Sequence, residues 1–247
     1  NTVLLGVAQR YGDKGKHIIT TNVEHHAILH TCEYLEKQGY SVTYLPVDQD
    51  GLVTAEQVAA AIRPDTILVS IMFANNEVGD IYPIQAMAEM AKERGILFHT
   101  DAVQAIGNVH IDVKEQNIDM LSLSGHKIHA PKGIGALYLS DRIVQAFQPP
   151  YLGGEQEREM RPGTENLPYA MGLAAAATRL AKTMKSRDTA MRALNRQLRE
   201  GLKAFPEVVI NSPENAVPEV LNFSEMCIKS ETMLAFLAEE QIYVSSA

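Results

Sequence analysis

Ile67-Leu-Val-Ser-Ile-Met-Phe73, then Pro83 to Arg94, then Gly95 and Ile96-Leu-Phe-His99: this stretch decides the fold. The first run is almost wholly apolar, the pattern of a strand covered on both faces. Pro83 to Arg94 predicts a helix, with proline near its start and Gly95 past its end. Ile96 to His99 predicts the next strand. Strand, helix and strand in this order imply a parallel pair joined by a right-handed crossover.

The same alternation extends both ways. His17 to Thr21 and Val42 to Leu45 read as strands. His26 to Lys37 reads as a helix ended by Gly39, and Thr54 to Ile62 as a helix opened by a Thr54–Gln57 capping box. Met120 to Leu123 and Gly135 to Leu139 are further strands. The expected class is α/β: a mainly parallel sheet sandwiched by helices. From Tyr169 to about Ala204 the pattern is one long helix, or two with a bend. Val208 to Ile210, Glu219 to Phe223 and a helix over Glu231 to Glu240 form a small, partial α+β remainder. The division expected is 1–185 for a large domain and 186–247 for the helix continuation and the small C-terminal domain.

Composition fits an ordinary globular chain: 247 residues, 46% hydrophobic and 21% charged. A net charge of −8 gives no overall pull toward nucleic acid or an anionic membrane. No apolar run reaches membrane-spanning length, and no leader pattern opens the chain. Cys32 and Cys227 lie too far apart for a disulfide framework or a zinc motif, which favours a reducing, cytoplasmic setting. The first residue is Asn; the opening reads as the middle of a helix and Ile242 to Ala247 as a strand cut short. A piece of a longer protein is expected.

Ligands of an open α/β sheet bind beyond the carboxyl ends of its strands. Four strands here are followed by polar groups: Glu24, His25 and His26; Asn75, Asn76 and Glu77; Asp101 and Gln104; Ser124, His126 and Lys127. Lys127 follows a buried-type strand, where desolvation would favour a neutral, nucleophilic amine. Asp101 ends another inner strand. A lysine that forms an imine and an aspartate facing a ring nitrogen are what pyridoxal phosphate requires. Around such a ring His25 could lie on the face, Asn76 and Gln104 could bond the phenolic oxygen, and Ser124 and His126 could donate to the phosphate. Spacing alone does not choose these roles. Lys127 alone could equally be a surface cation, and Asp101 a helix cap. His25, His26 and His30 lack a carboxylate-rich partner motif, so no metal site is read there. Gly133-Ile-Gly135 precedes a strand and reads as a turn; Cys32 reads as core and Cys227 as structural.

Ser124-Gly-His-Lys127 followed by Ile-His-Ala-Pro-Lys-Gly-Ile-Gly-Ala-Leu-Tyr138 resembles the lysine segment of the cysteine desulfurases, class V enzymes of the pyridoxal-phosphate fold type I. The likeness continues through Thr20-Thr-Asn-Val-Glu-His25, Asn75-Asn-Glu-Val-Gly79, His99-Thr-Asp-Ala-Val-Gln104 and Arg161-Pro-Gly-Thr-Glu-Asn166. It implies that Lys127 carries pyridoxal 5'-phosphate, Asp101 pairs with the ring nitrogen and His25 stacks on the ring. It further implies that Asn76 and Gln104 contact ring substituents and that Ser124 and His126 bind phosphate. Thr164 would reach the phosphate of a neighbouring subunit, hence a homodimer. The implied reaction takes L-cysteine to L-alanine and an enzyme persulfide, whose sulfur passes to an iron–sulfur scaffold or a thiolation enzyme. Three family features are missing: a Gly-Ala-Thr phosphate turn before residue 1, a carboxylate-binding arginine, and a nucleophilic cysteine on a loop after a segment like Val244-Ser-Ser-Ala247. The alternatives are a class V aminotransferase, a selenocysteine lyase, or an inactive truncated module for scaffolding or dimerisation. A nucleotide-binding oxidoreductase is disfavoured, because no Gly-x-Gly-x-x-Gly follows the first strand.

Overall fold

The computed structural model describes residues 1–48, 51–144 and 147–246. Its chain order is α1 (Thr2–Tyr11), β1 (His17–Thr21), α2 (His26–Lys37), β2 (Ser41–Leu45), α3 (Ala55–Ala61), β3 (Thr66–Ser70), α4 (Ile84–Glu93), β4 (Leu97–Asp101) and β5 (Met120–Ser124). A single 3₁₀ turn (Gly125–Ile128) leads to β6 (Gly135–Leu139), then α5 (Asp141–Val144), α6 (Leu167–Leu202), β7 (Val208–Ile210), β8 (Phe223–Glu225) and α7 (Ser230–Glu239).

Six strands form one sheet in the order β2-β1-β3-β4-β5-β6. All neighbours run parallel except β5 and β6. The exception follows from the link: residues 125–134 hold no helix to carry a parallel crossover, so the chain can only turn back. Successive strand residues face opposite sides. Ile18, Leu68, Leu97 and Met120 pack under α1 and α2 with Leu4, Ile28 and Cys32. Ile19, Val69, Phe98 and Leu121 pack under α3 and α4 with Val58, Met87 and Ala91. Every residue of β1 and β3 is buried, as expected for strands covered on both faces. The capping box at Thr54 forms as predicted.

The long helix is one piece. α6 has 36 residues, about 54 Å at 1.5 Å per residue, and none of them is buried. Its first half follows the sheet: Pro131 touches Gly172, and Leu180 fills the space that a side chain on Gly107 would need. Its second half holds the loop before β8, through Asn195 to the carbonyls of Pro218 and Val220 and Arg199 to those of Ser212 and Pro213.

Three expectations are corrected. Residues 242–246 form no strand; Ile242, Tyr243 and Val244 are exposed and have no paired neighbour among the described residues. Ala247 lies outside the described residues. The strand expected over Glu219 to Phe223 is confined to Phe223–Glu225, because Val217 turns away to donate its N–H to the Gly79 carbonyl. Cys227 is exposed beyond β8, whereas Cys32 is core as expected.

Candidate active site

The strand order sets where a site can form. From β1 the chain crosses to β2 on one side, and from β2 it returns past β1 to β3 on the other. The crevice between β1 and β3 is thus the topological switch point, where open α/β sheets bind their ligands. The loops after β1 and β3 bring Glu24, His25, Asn75 and Asn76 to it. β4 and β5 run beside β3 and deliver Asp101, Gln104, Ser124, His126 and Lys127 to the same edge.

Asp101 is the last residue of β4. Val103 donates its N–H to Asp101 Oδ1 at 2.9 Å, so the carboxylate closes a turn where helix capping had been the competing reading. Burial pushes its carboxyl above the usual carboxylate range, opposed by the Val103 hydrogen bond and by the nearby His25. Among the described residues no lysine or arginine pairs with it. His25 is exposed and caps α2, its Nδ1 accepting the Ala27 N–H at 3.1 Å. Asn76 donates to Glu77, and the Gln104 carbonyl accepts from Asn108.

Ser124 and His126 meet: Ser124 Oγ and His126 Nδ1 lie 2.7 Å apart. Lys127 follows on the 3₁₀ turn, which His129 ends in the left-handed conformation (φ 66°). The turn is held by Gly125 N–H to Ile134 O and Ala130 N–H to Gly125 O. Gly135 faces Ser124 across the strand pair, and a side chain there would strike the Leu123 carbonyl. Lys127 is exposed. The enclosure expected for it is not found: the turn packs on α6 with Gly125 and Ile128 buried, while the Lys127 side chain points outward. Thr164 is also exposed, on the segment entering α6, and among the described residues no side-chain hydrogen bond joins it to the cluster.

Beneath the edge lies a residue that sequence reasoning used only as a strand end. His99 is buried on β4, its Nδ1 2.9 Å from Ser70 Oγ on β3 and its Nε2 2.9 Å from Ser122 Oγ on β5. Burial holds its pKa down to about 3 and keeps the ring neutral. The signal available was a hydrogen-bonding side chain, Ser70, His99 and Ser122, within each of three neighbouring strands. Glu24, one of the polar groups that follow β1, is buried as well, and its carboxyl accepts the Met72 N–H.

The comparisons with known proteins agree with this fold. A cysteine desulfurase IscS of Methanosarcina thermophila is 48% identical over all 247 residues, which span 61% of its length. A solved NifS-like protein superposes with a TM-score of 0.95 at 36% identity, covering 99% of this chain and 67% of that one. SspA, solved in complex with cysteine, gives a TM-score of 0.85 at 36% identity over the whole chain and 68% of that structure. The chain thus spans about three-fifths of the curated relative's length. The family model for class-V aminotransferases matches residues 1–246, and the chain belongs to that family.

Proposed function

We propose that the chain carries the cofactor-binding core of a cysteine desulfurase that removes sulfur from L-cysteine. The observation that supports this is that β4 and β5 are adjacent and parallel, with Asp101 ending β4 and Lys127 on the turn just after β5. Pyridoxal 5'-phosphate is the cofactor of this family. The residues fit it. Asp101 is a half-buried carboxyl with no basic side-chain partner among the described residues, which suits a cationic ring N–H. The Ser124–His126 pair offers donors for a phosphate, and Lys127 an accessible amine. When bound, the cofactor supplies an electron sink for charge developing at the substrate α-carbon.

In this reading Lys127 holds the cofactor and afterwards takes the substrate α-proton. His25 covers the ring and moves a proton on that face, with its other nitrogen anchored to Ala27 N–H. Asn76 and Gln104 orient the ring. The overall exchange is balanced: L-cysteine and an enzyme thiol give L-alanine and an enzyme persulfide. Cys32 is not that thiol, since burial pushes it up to about 12 and leaves it protonated and enclosed. We assign the acceptor role to a cysteine other than Cys32. This reading also has two subunits face each other, with Thr164 reaching the partner's phosphate, which accounts for the exposure of Thr164 and Lys127. The sulfur acceptor is an iron–sulfur scaffold or thiolation enzyme, and the setting cytoplasmic; no helix among the described residues is long and apolar enough to cross a membrane. We assign residues 1–185 to the cofactor domain and 186–247 to the smaller one.

The test uses the full-length protein supplied with pyridoxal phosphate. Borohydride should fix the cofactor to Lys127, located by peptide mass mapping, and added L-cysteine should yield L-alanine. A protein that stays colourless and is not labelled would overturn the reading. Transamination without alanine release would move it to the aminotransferase alternative.

A further inference from the structure

Glu24 is the most buried acidic side chain at the candidate site, with 4% of its surface exposed, and the reaction outlined above gives it no task. It immediately precedes His25, where β1 gives way to α2. Its Oε1 accepts twice, from Thr21 Oγ1 at 3.0 Å and from the Met72 N–H beyond β3 at 2.8 Å. Its Oε2 is buried and meets no hydrogen-bond partner among the described residues. The adjoining contacts cross the same crevice. Thr20 donates to the Ser70 carbonyl at 2.8 Å, and Asn75 Nδ2 to the Val23 carbonyl at 3.5 Å. Asn75 Oδ1 meanwhile accepts the N–H groups of Glu77 and Val78, fixing the turn that presents Asn76.

Burial of the unpartnered Oε2 favours the neutral acid, which leaves an uncharged O–H there in place of a charged oxygen. A carbonyl-type oxygen has two lone pairs, and Oε1 uses both. An ionised carboxylate would leave charge on an enclosed oxygen without a donor, which is costly. The ionisable groups around it give no relief: Asp101 from β4, Cys32 from α2 and Tyr82 from the segment before α4 are acids. Burial accordingly pushes the Glu24 carboxyl up to about 8, against the pull of the Met72 and Thr21 hydrogen bonds.

We propose that Glu24 is a positioning residue that works as a neutral acid, bracing the His25 loop against β3 and leaving Asp101 as the one ionised carboxylate of that wall. The inference rests on the cofactor reading above. A second negative charge beside Asp101 would raise that carboxyl's hold on its own proton, and a protonated Asp101 cannot pair with a ring N–H cation.

Glutamine is the isostere of the protonated acid, with an oxygen to accept and an N–H where the O–H was. The test therefore sets Glu24→Gln against Glu24→Ala in the full-length protein loaded with pyridoxal phosphate. The visible cofactor band is titrated through pH 8, and cofactor affinity is measured. The parent is expected to show a spectral step near pH 8, and Glu24→Gln to keep the parent's affinity without that step. Glu24→Ala is expected to bind the cofactor about tenfold more weakly or worse. If Glu24→Gln fails as Glu24→Ala does, the ionised form is the working one and the proposal is wrong. It is equally overturned if Glu24→Gln retains the step or if Glu24→Ala keeps the parent's affinity. Infrared spectra of the cofactor-free protein give an independent arm: a buried carboxylic acid signal is expected below pH 8 and absent in Glu24→Gln. That arm decides the protonation state even if the parent binds no cofactor, in which case the functional reading fails by itself.

Discussion

The two ends of the sheet treat buried acids in opposite ways. At the amino end Asp119, just before β5, is buried and accepts the Phe98 N–H, while Arg142 of α5 clasps both of its oxygens. At the carboxyl end Asp101 and Glu24 are enclosed with no lysine or arginine paired to either, among the described residues. A fold left to stability alone satisfies its buried charges, as at Asp119. Glu24 stays neutral by burial, whereas an ionised acid without a countercharge at a strand terminus, as at Asp101, marks where a ligand completes the electrostatics.

The contrast is broken most sharply at Lys127. Replacing it with alanine should lower desulfurase turnover by at least about 10²–10⁴-fold. The melting temperature should stay near that of the parent, because the side chain is exposed. A large loss of stability would mean that the turn, not the amine, is what matters. Asparagine scanning of the two ends follows. Asp119→Asn should destabilise by about 3 kcal/mol, since it leaves Arg142 half-buried and unmatched. Asp101→Asn should melt level with the parent or higher while losing activity. Equal stability losses at both sites, read by denaturant titration, would erase the distinction.

Proton linkage sharpens it further. His99 has its folded pKa lowered from 6.5 to about 3, so its contribution is present above 6.5 and lost as pH falls toward 3. Glu24 is raised from 4.5 to about 8, so its contribution is present below 4.5 and lost as pH rises through 8. The two windows overlap between 4.5 and 6.5, where the opposing slopes cancel and stability should be flat. His99→Asn should remove the acid limb and Glu24→Gln the alkaline one, as followed by thermal melts across pH. The smallest effect is at neither end: Thr54→Ala should cost about 1 kcal/mol through the lost capping box, with turnover unchanged.

Much of the sheet was legible because its code is local. Buried runs such as Ile67 to Phe73, with proline and glycine around the intervening helix, leave few alternatives to parallel pairing. The site's residues were legible as polar groups after strands, since strand ends are where α/β folds place them. Exposure was not legible. Lys127 looks enclosed from its own segment, and only the turn geometry shows that its side chain is exposed among the described residues. The burial that pushes the Glu24 carboxyl up was hidden too, because it comes from segments distant in the chain, such as the one beyond β3 that bears Met72. Ile242 to Val244 have strand-forming side chains, but pairing requires a neighbour that sequence alone cannot supply.

The reversal at β6 has a kinetic corollary. The β5–β6 hairpin joins Ser124 to Gly135, near neighbours along the chain, whereas the β1–β3 seam must bring His17 to Thr66. Closing a short loop sacrifices less chain entropy than closing a long one. The segment bearing Lys127 therefore sacrifices less chain entropy on folding than the crevice between β1 and β3.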